Sequence, residues 1–191
     1  MDCVSYLNRI LEKLLPTHDI VRDYPADGQV IPAYARYEAM NEKYVLSRKA
    51  TLWKAGEYEH VLFFTVPEKA AAGGPSDGAE QTAASPVTPD TVTDLAQQLI
   101  TGYMEPVLAR DNEKYPPKDH MRTFLTAVIV SEESPSEALI RRIRKYRFDK
   151  GYQFSFRGFS QGRLVFVDLG AGKVYTSPAA NDVAEFYGRL L

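Results

Sequence analysis

Residues 122–177 constrain the fold more than any other stretch. They open with Thr123-Phe-Leu-Thr-Ala-Val-Ile-Val-Ser131, continue through a polar break and a basic amphipathic segment, and end in short apolar runs divided by glycine turns. The first run is apolar at consecutive positions, so neither face of that strand can meet water. Residues 61–66, Val-Leu-Phe-Phe-Thr-Val, make the same demand. Two such strands predict a sheet with helices on both faces.

The helices have their own signals. Val4, Leu7, Ile10, Leu11, Leu14 and Leu15 form one stripe, closed by Pro16, which cannot continue a helical hydrogen-bond ladder. Thr88-Pro89 reads as a cap with proline at the first helical position. The stripe Val92, Leu95, Leu99, Ile100, Tyr103, Val107 and Leu108 carries that helix to about residue 109, with Pro106 kinking its end. Ser134-Pro-Ser-Glu137 has the capping-box pattern. It opens a helix to about residue 147 with Leu139, Ile140 and Ile143 inward. A last helix holds Val183, Phe186, Tyr187 and Leu190.

Strands are expected at 34–46, 49–54 and 57–66, with Ala55-Gly56 as a tight turn between the last two. The segment 17–32 reads as loop because of its Pro25-Ala-Asp-Gly28 cluster. Further strands are expected at 123–131, at 152–159 from the alternation of Tyr152, Phe154 and Phe156, at 163–169 and at 173–176. The order is α-β-β-β-α-β-α-β-β-β-α. It defines an α/β (α+β) fold with a mixed sheet flanked by helices, the strand 123–131 running parallel to 61–66 through a crossover. The 191 residues fit a single domain. A flexible insertion is expected at about 68–88, where no residue is aromatic and the composition turns to Ala, Gly, Ser, Pro, Gln and Thr.

Several function classes are disfavoured. Cys3 is the only cysteine, so disulfide frameworks and thiolate zinc sites are not expected. The first residues lack a signal-peptide pattern, and no apolar run approaches the ~20 residues of a membrane helix. A cytoplasmic protein with no membrane partner is the expectation. Charge is uneven: residues 1–121 carry 12 Lys/Arg against 18 Asp/Glu, and residues 122–191 carry 11 against 7.

That basic bias concentrates in Arg141, Arg142, Arg144, Lys145, Arg147 and Lys150, followed by Arg157. Together they form a candidate surface for an anionic ligand or nucleic acid. A solvated helix face, with cations favouring the carboxyl-terminal dipole, explains the same run. Tyr152, Phe154, Phe156 and Phe159 could stack bases, but their alternation also suits a sheet face packed under a helix. Glu57 and Glu59 share one side of a strand and form a candidate Mg²⁺ or Mn²⁺ site; a polar edge facing water is the plainer reading. His18, His60 and His120 show no metal-ligand spacing. Gly170-Ala-Gly-Lys173 lacks the spacing of a phosphate loop and fits a hairpin turn.

Through residue 147, the order αβββαβ resembles the core of restriction-endonuclease-like proteins. The resemblance implies acids near the second and third strands that hold Mg²⁺, with a Glu/Asp-x-Lys in the third. Here residues 61–65 contain neither acid nor lysine, and Glu68-Lys69 follows Pro67 without the spacing. Glu57 and Glu59 are the carboxylates left for the metal of a degenerate enzyme. Asp168-Leu-Gly-Ala-Gly-Lys-Val-Tyr-Thr176 is similar to uncharacterised bacterial domains. The sequence reading is therefore a non-enzymatic binding or interaction domain needing no cofactor. A metal-dependent nuclease-like enzyme with Mg²⁺ is the alternative, and a protein–protein module using the 68–86 loop is a third reading.

Overall fold

The computed structural model describes residues 1–44, 51–68, 87–154 and 156–191. The proposed insertion at 68–88 falls almost wholly outside them, as does the end of the strand expected at 34–46.

Helix α1 (Cys3–Leu14) is capped by Asp2, whose carboxylate accepts from the Ser5 amide. Strands β1 (Asp19–Ala26), β2 (Gln29–Tyr44) and β3 (Thr51–Val66) form an antiparallel meander. Helix α2 (Pro89–Leu99) starts at the Thr88 cap as expected and then widens into a π-helix over Ile100–Ala109. Pro106 lies inside that segment and lacks the N–H that a regular turn would use. Strand β4 (His120–Ser131), helix α3 (Glu137–Lys145), strands β5 (Asp149–Gly151), β6 (Phe159–Asp168) and β7 (Lys173–Thr176), a 3₁₀ turn at Pro178–Ala180 and helix α4 (Ala184–Gly188) complete the chain.

The seven strands form one mixed sheet, ordered β1-β2-β3-β4-β6-β5, with β7 also pairing with β6. Strands β3, β4 and β6 run parallel at its centre, Val61 opposite Thr126 and Thr126 opposite Arg163. Two cores sandwich them. Leu62, Phe64, Leu125, Ala127, Ile129, Leu164 and Phe166 pack against Ala96, Leu99, Ile100, Met104, Leu139 and Ile143. On the other face Val61, Phe63, Val128, Val130, Val165 and Val167 pack against Tyr6, Leu7, Ile10, Leu11, Tyr187 and Leu190. Each fully buried large side chain contributes about 1.5–3 kcal/mol, so these central strands organise the fold.

The structure corrects four local expectations. Residues 17–32 are mostly strand, not loop: Asp27 and Gly28 both take positive φ in a two-residue hairpin turn between β1 and β2. Ala55-Gly56 is no turn. Both lie within β3, where pairing with β4 slips a residue between Gly56 and Glu57. Ser136, not Ser134, caps α3 by accepting from the Leu139 amide, while the Ser134 hydroxyl reaches Asp168. Of the alternating segment, residues 152–154 and 156–158 lie in the tip between β5 and β6 rather than in a strand. Strand β6 then begins at Phe159 and contains Ser160, Gln161 and Gly162.

Candidate functional site

The parallel pairing of β3 and β4 aligns their first halves. Gly56 lies opposite His120 and Tyr58 opposite Thr123, so Tyr58, His60, His120 and Thr123 fall on one face. The α2 side of the sheet is covered farther along by the helices. At this end the loop after the π-helix, residues 110–118, stands off the sheet and leaves a cleft of about 650 Å³. Arg36 and Glu38 from β2, Arg110, Tyr115, Pro116 and Lys118 from the loop, and Arg157 from the β5–β6 tip complete its walls.

The floor is built from two buried imidazoles. His120 stacks on Tyr58 with ring centres 5.9 Å apart. Its Nδ1 lies 2.7 Å from the Arg157 carbonyl, and its Nε2 lies 2.8 Å from the Thr123 hydroxyl. A carbonyl only accepts, so Nδ1 carries the proton and Nε2 accepts from Thr123. Thr123 is 1% exposed, so this chain fixes the floor instead of presenting a nucleophile. His60 Nδ1 lies 2.7 Å from the Tyr34 hydroxyl, and Nε2 has no partner among the described residues. Burial lowers the pKa of both imidazoles. His60, with the positive charge of Arg36 adding to the effect, falls to about 4. Both rings are therefore neutral near pH 7.

The cations on the walls are held differently. Arg36 pairs with Glu38 at 2.5 Å, both about half exposed. Arg110 binds the buried Glu105 carboxylate through Nε at 2.6 Å and also donates to the Glu113 carbonyl. Lys150 and the Tyr152 hydroxyl approach the same carboxylate at 2.9 Å each. Burial raises the Glu105 pKa, but these hydrogen bonds outweigh it and hold the group below the ordinary range. Arg157 donates to the Pro116 carbonyl and lies over the Tyr115 ring. Lys118 is exposed and has no partner among the described residues.

The basic run does not converge. Arg142 leans to α2, reaching Asp90 and Asp94. Arg144 leans the other way, over Tyr175 of β7. Arg147 donates to the Arg144 and Tyr146 carbonyls, and Lys150 serves Glu105. Arg141 and Lys145 stay exposed and border a shallow groove with Gln97, Ala138, Arg142 and Tyr146. Only Arg157 of the run belongs to the cleft. Glu57 and Glu59 lie on the opposite face. Glu57 accepts from Arg122 at 2.9 Å, and Glu59 accepts from Thr126 at 2.8 Å with Arg163 at 3.7 Å. Among the described residues no group of three or more His, Cys, Asp or Glu is placed to hold a metal ion.

Arg36, Arg110 and Lys118 carry no motif and escape sequence reading. His60 and His120 are 60 residues apart, and only the parallel register of β3 and β4 brings both to one cleft. The strand starts were the one signal that could have joined them.

A three-layer α/β domain with a cleft at the amino-terminal ends of its parallel strands is thus defined. The chain belongs to a family described as a domain of unknown function, DUF8052, whose model matches residues 2–72 and 81–189. No curated protein and no solved structure matches it. The resemblance to restriction-endonuclease-like proteins therefore gains no support. No described helix is long and apolar enough to cross a membrane.

Proposed function

We propose that this domain binds a small anionic molecule in the cleft above Tyr58, His60 and His120. The observation that carries the reading is convergence: Arg36 of β2, Arg110 and Lys118 of the 110–118 loop and Arg157 of the β5–β6 tip come from three separate segments and line one concave wall. The acids Glu38, Asp111 and Glu113 also line the cleft; Glu38 pairs with Arg36, and Arg110 pairs with the buried Glu105, so Lys118 and Arg157 are the cations left for a ligand. The floor adds the free Nε2 of a neutral imidazole, which can hydrogen-bond an anion without a cost for charging the ring. A concave site with a few convergent polar groups is where small ligands ordinarily bind.

The test is thermal unfolding with inorganic pyrophosphate, against sodium chloride at matched ionic strength. Binding at 100 times Kd stabilises the native state by about 2.7 kcal/mol, a rise of roughly 5–10 °C for a chain of this length. Lys118→Glu reverses the wall cation that has no partner among the described residues, and should abolish the rise while leaving the unliganded Tm within about 2 °C. Equal rises in both proteins, or none in either, would exclude the cleft as a polyanion site. A second reading puts nucleic acid on α3. It is favoured by Arg141 and Lys145, which share an exposed face one turn apart without acidic partners among the described residues.

A further inference from the structure

The tip of the β5–β6 hairpin is built against the usual rules. Phe154 is 99% exposed and Phe156 87% exposed. Large aromatic side chains bury most of their surface in a soluble domain. Gln153 and Phe154 also take positive φ, 46° and 56°, a region that costs non-glycine residues of order 1 kcal/mol each. The tip is nonetheless anchored. Tyr152 is buried, with its hydroxyl shared between Glu105 and Ser160. Gly158, at φ 72°, lies so close to the Met121 carbonyl that an added Cβ would sit 2.0 Å from the oxygen. A rigid base therefore holds two phenyl rings out in water.

Two cations, Arg157 and Lys118, stand beside them, with Asp119 next to Lys118. Arg157 follows Phe156 directly and forms a wall of the cleft. Phe156 lines a second depression with Met121, Gly158 and Phe159, and this depression shares Lys118 and His120 with the cleft. Phe156 thus adjoins, through common residues, a hollow in which Lys118 and Arg157 stand among the acids Glu38, Asp111 and Glu113, and Phe154 stands two residues before it on the same tip. We propose that the tip is a base-stacking surface and that the molecule held is a short single strand of nucleic acid. Phosphates sit along Lys118 and Arg157, and unpaired bases stack on Phe154 and Phe156. A stacked base presents a π-face to any aromatic ring, and the strand supplies a charge at every step, which is the chemistry this juxtaposition matches. A duplex hides its base faces and cannot use the rings. A mononucleotide has one base for two rings standing outside the hollow. This inference deepens the anion-binding reading of the cleft and rests on it.

The experiment is fluorescence anisotropy with a labelled 12-nucleotide oligo(dT) strand, its duplex with oligo(dA), and dTMP as competitor, at 50 and 200 mM salt. The single strand should bind more tightly than the duplex, weaken with salt and resist dTMP. The double substitution F154S with F156S should weaken strand binding at least tenfold with an unchanged Tm and an unchanged pyrophosphate-induced Tm rise. Phe156→Trp should retain affinity. Equal affinity in wild type and the double serine variant would overturn the stacking role while leaving the cleft reading intact. Loss of the pyrophosphate response in wild type would remove the cleft reading itself. Preference for the duplex, competition by equimolar dTMP, binding abolished by R141E with K145E but not by the serine pair, or tip-dependent binding to anionic lipid vesicles with none to oligo(dT) would each overturn the proposal.

Discussion

Neighbouring residues of β3 face opposite ways and meet opposite fates. Glu57 and Glu59 point to the α1 side, where Arg122, Thr126, Arg163 and Asp182 complete a paired network. Both guanidiniums there lie over the Phe124 ring, Arg163 at 3.4 Å and Arg122 at 5.2 Å. Their Nε atoms lack hydrogen-bond acceptors; stacking on the ring takes the place of one. Tyr58 and His60 point to the α2 side, where His60 Nε2 and Lys118 have no partner among the described residues and border a cleft. One face uses its charges to hold the sheet to α4. The other leaves groups open to a ligand. A carboxylate pair on a strand is thus poor evidence for a metal when arginines stand one strand away, and a lone histidine gains meaning only from what is left open beside it.

The comparison breaks first if the paired face proves dispensable. Arg163 is 5% exposed and joins Asp182 at 3.0 Å. Arg163→Ala removes that pair and the stack on Phe124, and leaves Glu59 with one fewer partner. Asp182 is 62% exposed and can be solvated once the arginine is gone, so the expected cost is that of lost charged hydrogen bonds, about 1.5–3 kcal/mol, or about 3–12 °C in Tm. Lys118→Ala on the open face should cost within about 0.5 kcal/mol. Comparable losses in thermal unfolding would erase the distinction between the faces.

His60 sharpens the comparison through pH. Its pKa falls from the ordinary 6.5 to about 4 because burial, and then Arg36, disfavour the charged ring. Between those values the unfolded chain binds the proton and the folded chain does not, so stability falls as pH drops from about 6.5 to 4. The loss is up to about 3 kcal/mol at 1.36 kcal/mol per pKa unit. His60→Asn keeps a side chain that can bond Tyr34 but cannot titrate there. Urea midpoints across that range should fall less steeply in the variant. Burial lowers His18 and His120 in the same sense, and both remain in the two proteins, so the difference between the curves belongs to His60. Parallel curves would mean that the ring is solvated and that this face is not a desolvated floor.

The buried part of the fold was legible because burial leaves a pattern. Residues 61–66 and 123–131 are apolar on both faces and became central parallel strands. The mixed-sheet class and the Thr88-Pro89 helix start followed from equally local signals, whereas the expected strands 49–54 and 57–66 proved to be one strand, β3. Edge elements were not legible. Strand β1 reads Asp-Ile-Val-Arg-Asp-Tyr-Pro-Ala and is mostly exposed, so no apolar alternation marks it, and Asp27-Gly28 looked like a turn within a loop. Phe154 and Phe156 misled in the opposite direction. Their alternation mimics a half-buried strand, yet Gln153 and Phe154 adopt φ values that no periodicity encodes. The cleft was illegible for a third reason: its cations are scattered over three segments without a motif, and the fold alone unites them. The basic run was the louder signal, and its residues turn to separate neighbours.

The smallest effect tests whether exposure or pairing decides what an ion pair is worth. Arg142 approaches Asp94 at 2.5 Å, closer than Arg163 approaches Asp182 at 3.0 Å. By distance alone the first pair should matter more. But Arg142 and Asp94 are 43% and 55% exposed, whereas the Arg163 side chain is 6% exposed against an Asp182 that is 62% exposed, so the difference rests on the buried guanidinium alone. Water screens the first pair and long side chains lose freedom in forming it, so it contributes about 0.5 kcal/mol. Arg142→Gln with Arg144→Gln should therefore lower Tm by no more than roughly 4 °C, and raising the salt concentration should shrink that difference. A drop as large as that of Arg163→Ala would mean that α3 is clamped to α2 by charge. The basic run would then be structural, and nucleic acid binding on α3 would lose its support.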